Sequence, residues 1–346
     1  MFLVLIFAAG LYGLGAYMGA PKTQRWALIG LLFAAVIGVL FLFPEGHGLR
    51  VALGGTPAPY LMMVGFGALV LLYRIGLSGL RKRAQGGSLD VAPTPSGTFS
   101  ETELERYARH IVLREIGGTG QKKLKSAKIL VVGAGGLGAP ALQYLAAAGV
   151  GTIGVIDDDS VENANLQRQI IHRDEDIGTP KVFSAQQAML AQNPYVEVRP
   201  YHRRLDAEIA QDLFADYDLI LDGTDNFKTR YLVNETAVML GKPVISGALS
   251  QWEGQLSVFD PAKGTPCYQC IFPSAPAPDL APSCAEAGVI GPLPGVVGAM
   301  MAQEAIKLIT GAGSVLHSEM LIYDGLFGET RKMGLKPRSD CPICGG

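Results

Sequence analysis

Charge is scarce in this sequence. Asp, Glu, Lys and Arg make up 17% of its 346 residues, against roughly 25% in an ordinary soluble domain. A basic excess is absent as well. The 29 Lys and Arg face 31 Asp and Glu, so the chain has no surplus of cations to neutralise phosphates along a nucleic acid, and nucleic-acid binding is not expected. Cysteine is rare and odd in number, with five residues, which argues against a disulfide-stapled scaffold. No charge precedes Lys22. Cleavable signal peptides open on a positive segment, so the N-terminal apolar stretch reads as retained. Intrinsic disorder is excluded by a hydrophobic content of 49% and a mean hydropathy of +0.26.

What is present is unevenly distributed. The first 99 residues hold nine charged side chains, seven basic and two acidic. The remaining 247 hold 51, about 21% and close to the soluble norm. Three charge-free apolar stretches lie in the first part: Met1 to Pro21, Trp26 to Pro44, and a run from about Tyr60 to Tyr73. Each has about the length of a membrane-spanning helix. Lys22 and Arg25 follow the first, and Arg74, Arg81, Lys82 and Arg83 follow the third, whereas the second connection carries only Glu45 and Arg50. The positive-inside rule then puts the N-terminus outside and everything after residue 84 in the cytoplasm, as a multi-pass protein of the inner (cytoplasmic) membrane. The four glycines of the first stretch leave a two-span alternative. No ionisable residue sits in the middle of a span, so the segment reads as an anchor and not as a transport path. The domain reading is an anchor over 1–83, a Gly/Ser/Pro-rich linker over 84–99, and a soluble domain over 100–346.

The soluble part opens on Ser100-Glu-Thr-Glu103, a capping-box spacing that predicts a helix ending at Gly117-Gly118. Lys128–Val132 is a short apolar strand followed by Gly133-Ala-Gly135-Gly136-Leu-Gly138 and a helical stretch to Ala148. Strand, glycine turn and helix is the context in which this motif binds phosphate, through backbone amides and the helix N-terminus. A second strand, Thr152–Ile156, ends in Asp157-Asp158-Asp159, where an acid for ribose belongs. The alternation continues with a helix from Thr179-Pro180 to about Gln192, a strand Val196–Tyr201, a strand Asp218–Asp222, and a helix after Thr224-Asp225-Asn226. The expected fold is α/β, a doubly wound, Rossmann-like, mostly parallel sheet. Chemistry gathers beyond the C-terminal ends of such strands, where Asp157, Asp159, Asp222 and Asp225 fall.

Cys267-Tyr-Gln-Cys270 and Cys341-Pro-Ile-Cys344 are two C-x-x-C pairs. Four thiolates on two such knuckles match a closed tetrahedral zinc site of structural type. A redox dithiol is the alternative, but neither pair follows a strand into a helix as that chemistry requires. The nucleotide question divides in a similar way. A dehydrogenase would use the glycine turn for a dinucleotide, yet Asn165-Leu-Gln-Arg168-Gln169 and Lys181 add two cations where backbone amides would suffice. A polyphosphate that must lose pyrophosphate is the better match.

These residues carry a resemblance. From about Ser100 to Asp324 the chain resembles the MoeB/ThiF/HesA adenylyltransferases, relatives of ubiquitin-activating enzymes, and among them the MoeB branch. The resemblance rests on Arg106-Tyr-Ala-Arg109-His-Ile, the glycine turn, Asp157-Asp-Asp159, Asn165-Leu-Gln-Arg168-Gln, Lys181, Gly223-Thr-Asp225-Asn226, the C-x-x-C pairs, and Cys284-Ala-Glu-Ala-Gly288-Val-Ile-Gly-Pro-Leu-Pro-Gly295. It implies that Gly133, Gly135, Gly136 and Gly138 cradle ATP, that Asp157 and Asp159 lie at the nucleotide, and that Asn165, Arg168 and Lys181 hold its phosphates. It further implies that Asp225 holds magnesium and that Arg109 reaches the phosphates from the other subunit of a homodimer. Cys284 would capture the activated acyl group or assist sulfur transfer, or is a loop cysteine without essential role. Each assignment has a plainer alternative: Arg109 and Arg168 as surface ion pairs, Asp225 as cap of the helix that follows, Asp157 as a strand end. The implied activity is ATP-dependent adenylylation of the C-terminal Gly-Gly carboxylate of a ubiquitin-like sulfur carrier, of the molybdopterin-synthase small-subunit type, with sulfur from a separate donor. A thiamine or tRNA-thiolation carrier, or a membrane-tethered nucleotide-binding module without turnover, are the alternatives.

Overall fold

The computed structural model describes residues 2–19, 21–67, 69, 72–73, 99–276 and 287–345. The chain forms two compact units, Met1–Pro93 and Thr94–Gly346. Cys284, Arg74, Arg81, Lys82, Arg83 and almost all of the expected linker lie outside the described residues.

The first unit is helical: α1 (Phe2–Tyr17), α2 (Lys22–Leu42), α3 (Gly48–Ala52) and α4 (Ala58–Gly67). Val4, Val36, Leu40 and Tyr60 form its small core. Arg50 ties the turn after α2 together, donating to the carbonyls of Phe43 at 3.0 Å and Gly55 at 3.0 Å. Among the described residues one helical segment, Gln24–Leu42, is long and apolar enough to cross a membrane, where the sequence predicts three. The 16 residues of α1 reach about 24 Å at 1.5 Å per residue, short of a hydrocarbon core of about 30 Å.

The second unit begins with α5 (Glu101–Arg106), and its capping box is present. Ser100 Oγ accepts from Glu103 N at 3.3 Å and Glu103 returns a carboxylate oxygen to Ser100 N at 2.9 Å. The single helix expected to Gly118 is instead the two short helices α5 and α6 (Ala108–Ile111), and a further helix, α7 (Gly117–Ser126), starts where the stop was expected. Gly117 takes φ +59° and so opens α7 where the sequence suggested a stop.

An eight-stranded sheet follows, in the order β3-β2-β1-β4-β5-β6-β7-β8. Strands β1 (Lys128–Val132), β2 (Thr152–Ile156), β3 (Glu197–Tyr201), β4 (Leu219–Asp222) and β5 (Val244–Leu249) are parallel, and β6 (Glu253–Phe259), β7 (Glu319–Asp324) and β8 (Glu329–Gly334) continue the sheet antiparallel. Helices α8 (Gly138–Ala148), α9 (Lys181–Gln192), α10 (Ala207–Ala215) and α11 (Phe227–Met239) alternate with the parallel strands. In β1, Ile129 and Val131 face one core while Leu130 and Val132 face the other. This period of two is what a strand covered on both faces requires. The register pairs Val132 with Ile156 on one side and with Asp222 on the other. Gly133, Asp157 and Gly223 therefore leave the sheet at one level, on either side of β1. The chain winds from β1 to β3 in one direction and returns to β4 in the other, so a crevice opens there.

A long helix that the sequence motifs do not announce, here α13 (Pro292–Thr310), follows the short α12 (Tyr268–Ile271). It buries Leu293, Val297, Met301 and Ala305 against the first core. Its glycines and prolines read as breakers, but proline in a first helical turn forfeits no hydrogen bond. A Cβ at Gly298 would stand 2.4 Å from Leu137 O, so the small residue sets how closely α13 crosses the start of α8.

Candidate functional site

The crevice is a cavity of about 720 Å³. Gly133, Gly135, Gly136, Asp157, Asp159, Asn165, Arg168, Lys181 and Asp225 all line it. Two of the glycines have no substitute. Gly133 has φ +95°, and a Cβ at Gly138 would lie 1.9 Å from Gly133 O, so Gly138 sits behind the turn and allows the helix to pack on it. Gly135 faces the open side, where an added Cβ would meet only Gln169 Nε2, at 3.7 Å.

Asp157 does more than end a strand. Its Oδ2 accepts from Ala134 N at 2.7 Å and its Oδ1 from Asp159 N at 2.8 Å, which fixes the glycine turn to the end of β2. Burial raises its pKa above the usual carboxylate value, against the lowering by these amides and by Lys181. Lys181 opens α9 with a side chain only 6% exposed, and its Nζ lies 2.7 Å from Oδ2 of Asp159, which is 65% exposed. Asn165 is buried and its Oδ1 accepts from Glu162 N at 3.1 Å. Arg168 forms no ion pair among the described residues. It donates to Ala164 O at 3.0 Å at the cavity rim. Arg109 stands apart, exposed on α6 and outside this chain's own cavity lining.

The capping alternative for Asp225 is overturned. Asn226 is the N-cap of α11, accepting from Thr229 N at 2.9 Å, and Asp225 is left exposed at the cavity wall. Below it lies a buried pair that sequence reasoning missed. Arg230 donates to Ser246 Oγ at 3.1 Å, to Gly247 O at 2.7 Å and to Thr224 O, and stands 3.8 Å from Asp222. Asp222 in turn accepts from Thr224 Oγ1 at 2.7 Å and from Thr224 N at 3.0 Å. The loop that carries Asp225 is thereby fastened from two sides. No sequence periodicity marks an arginine in the first turn of a helix as the partner of a strand end. His172 was missed for the same reason: it is a lone histidine in sequence, yet buried beside the glycine turn.

The four cysteines of the C-x-x-C pairs are free and their sulfurs lie within 4.8 Å of one another. The pairs face each other, with Cys267 to Cys341 at 3.6 Å, Cys270 to Cys344 at 3.4 Å and Cys267 to Cys270 at 3.9 Å. A tetrahedral zinc with Zn–S bonds of about 2.3 Å has sulfur edges of about 3.8 Å, so the set fits that ion. Arg338 N approaches Cys270 Sγ at 3.4 Å, a backbone donor of the kind that supports a thiolate.

Comparison with known proteins agrees with this geometry. The ThiF family model matches residues 107–343. The sulfur carrier protein adenylyltransferase of Thermus thermophilus is 49% identical over 251 residues, 71% of this chain and 93% of that protein. The SAMP-activating enzyme E1 of Haloferax volcanii is 46% identical over 248 residues, 72% of this chain and 91% of that one. Among solved structures, E. coli MccB with MccA-N7isoASN has the same fold, with a TM-score of 0.63, 22% identity, and coverage of 73% of this chain and 77% of that one. With the glycine turn, its acids and cations, and three of the four clustered cysteines inside the matched span, the chain belongs to the ThiF family.

Proposed function

We propose that this protein adenylylates the C-terminal Gly-Gly carboxylate of a ubiquitin-like sulfur carrier, of the molybdopterin-synthase small-subunit type, so that a separate sulfur donor can attack the product. The observation that carries the reading is the meeting of Arg168 and Lys181 on an open glycine turn in one cavity. A dinucleotide needs only the amides of such a turn; a triphosphate that loses pyrophosphate needs fixed cations as well. The relatives' names point to the same substrate class.

ATP is read with its ribose at Asp157, its phosphates on Gly133, Gly135, Gly136, Asn165, Arg168 and Lys181, and a homodimer partner's Arg109 completing the cation set. A carrier carboxylate oxygen bonds to the α-phosphorus as the bond to the bridging oxygen breaks, and pyrophosphate leaves with that electron pair. Developing charge on the leaving oxygens is what fixed cations stabilise. Asp225, relieved of capping by Asn226 and exposed at the wall, fits a magnesium ion, which binds through one or two carboxylates plus phosphate oxygens. Magnesium would add Lewis-acid neutralisation of the phosphates. The cavity continues along β5 and β6 past Ser246, Ala248 and Ser257, where a side-chain-free tail would lie extended against the sheet. Zinc on Cys267, Cys270, Cys341 and Cys344 is structural, since four protein ligands leave no open position. Cys284 is assigned to capture of the activated acyl group or to sulfur transfer.

The first 83 residues are read as a multi-pass inner-membrane anchor, residues 84–99 as its linker, and residues 100–346 as the cytoplasmic catalytic domain. Support for one crossing comes from Gln24–Leu42, whose mean hydropathy is 2.3 and of which only 11% is buried. The test is ATP–pyrophosphate exchange by the full-length protein in detergent, with magnesium, against a panel of Gly-Gly carriers. Exchange stimulated by one carrier names the pathway. ATP binding without exchange for any carrier would replace the enzyme by a tethered binding module.

A further inference from the structure

Ala134, between the first two glycines of the turn, is fully buried and held at both ends of its peptide units. Its N–H goes to Asp157 at 2.7 Å. Its carbonyl meets His172 Nε2 at 3.0 Å. A carbonyl can only accept, so Nε2 carries a proton. The other ring nitrogen, Nδ1, lies 2.8 Å from Ser184 Oγ, and Ser184 Oγ lies 2.8 Å from Asp176 Oδ2. His172 and Ser184 are buried, while Asp176 is half-buried at the end of this line.

The consequence lies one peptide further on. In a trans peptide the carbonyl of one residue and the N–H of the next point in opposite directions. With the Ala134 carbonyl drawn inward by His172, the Gly135 N–H is turned outward to the cavity, and among the described residues it donates to no protein acceptor. We infer that His172 is a positioning residue: oriented by Ser184, it locks the Ala134–Gly135 peptide so that the Gly135 N–H is presented to a phosphate oxygen of the nucleotide. The inference rests on the reading of the cavity as an ATP site.

Proton counting refines it. Ser184 has one hydroxyl proton and two neighbours that accept. With the imidazole neutral, the one Ser184 proton serves either Nδ1 or Asp176 Oδ2, each 2.8 Å from Oγ, and not both. With a second ring proton, Nδ1 donates to Ser184 and the hydroxyl turns to Asp176. Burial, the largest effect, and the nearby Lys181 ammonium favour the neutral ring, while the hydrogen bond to the Ala134 carbonyl and the Asp176 carboxylate oppose them. The charged groups around the ring are thus Lys181 from α9 and Asp176 from its own segment, with Asp157 across Ala134.

The experiment measures ATP Kd by calorimetry, and kcat and KM for ATP in carrier-dependent exchange, for the parent protein and three variants. His172→Leu removes the donor and is expected to raise Kd and KM about tenfold, the loss of one hydrogen bond to a charged group, with kcat within threefold. His172→Gln, whose amide nitrogen reaches where Nε2 stood, is expected to restore most of that affinity. Ser184→Ala leaves the ring but frees its orientation, and raises both by about threefold. A purely structural role would lower the active fraction and kcat at unchanged Kd. That pattern, or a Gln variant no better than Leu, or an unchanged Kd in the Ala variant, would overturn the inference while the ATP reading stands. No ATP binding by the parent would overturn the ATP reading, and this inference with it.

Discussion

Asp225 separates holding a nucleotide from turning it over. Asp225 contributes no cap and no described ion pair, so Asp225→Ala should leave the fold and the ATP Kd within about threefold of the parent. Exchange should fall by about a hundredfold or more, the scale of losing metal-assisted charge stabilisation. Retained exchange at the parent rate would remove the magnesium assignment. A second prediction concerns pH. Burial holds the His172 imidazole below its ordinary value of 6.5. As pH falls past about 6.5 the unfolded chain takes up this proton and the folded one resists, so this residue's contribution to stability is present above that pH and lost below it. The loss is at most about 1.4 kcal/mol per pH unit. Thermal unfolding of parent and His172→Gln at pH 7.5 and 5.5 should show the smaller drop in the variant. The site residues differed in how visible they were in sequence. Gly133, Asp157 and Asp225 stand in motifs tied to strand ends and Lys181 at a helix start, so their place could be read. His172 and Arg230 act through contacts with residues far along the chain, and nothing local announces them.

At the scale of elements, the glycine turn and the first soluble helix carry separate predictions. Gly138→Ala places a methyl group 1.9 Å from Gly133 O, a backbone atom that cannot step aside without moving the turn. The variant should lose about 1–3 kcal/mol of stability to overpacking and most of its ATP affinity together. Calorimetry showing parent-like ATP binding would mean that α8 can shift freely. Ser100 caps α5 while Glu103, buried, also pairs with Lys125 at 2.7 Å. Ser100→Ala should therefore cost about 1 kcal/mol, read as a lower Tm with unchanged ATP affinity. Strands β1, β2 and β4 were legible because short apolar runs ending in glycine or aspartate have few other uses. The start of α7 at Gly117 and the long α13 were not. A glycine can start a helix as well as stop one, and prolines in a first turn look like breakers until the helix behind them is seen.

For the whole molecule, the cysteine quartet joins a knuckle at α12 to one near the C-terminus. If zinc binds there, a strong chelator should lower Tm by several degrees and loosen the segment after β8 first. Hydrogen exchange would report this as early loss of protection near Arg338 and Cys341. Cys267→Ser should do the same without chelator. The sequence alone determined that the chain is a composite: a charge-poor apolar leader, and a soluble α/β part with a phosphate turn and a metal-spaced cysteine set. Each of these rests on composition or on spacings of a few residues, which local chemistry dictates. The structure alone decided the common level at which Gly133, Asp157 and Gly223 leave the sheet and the Asn226 cap that frees Asp225. It also decided the burial of His172 against the turn. These depend on strand order, register and packing between distant segments, and no short stretch of sequence contains that information.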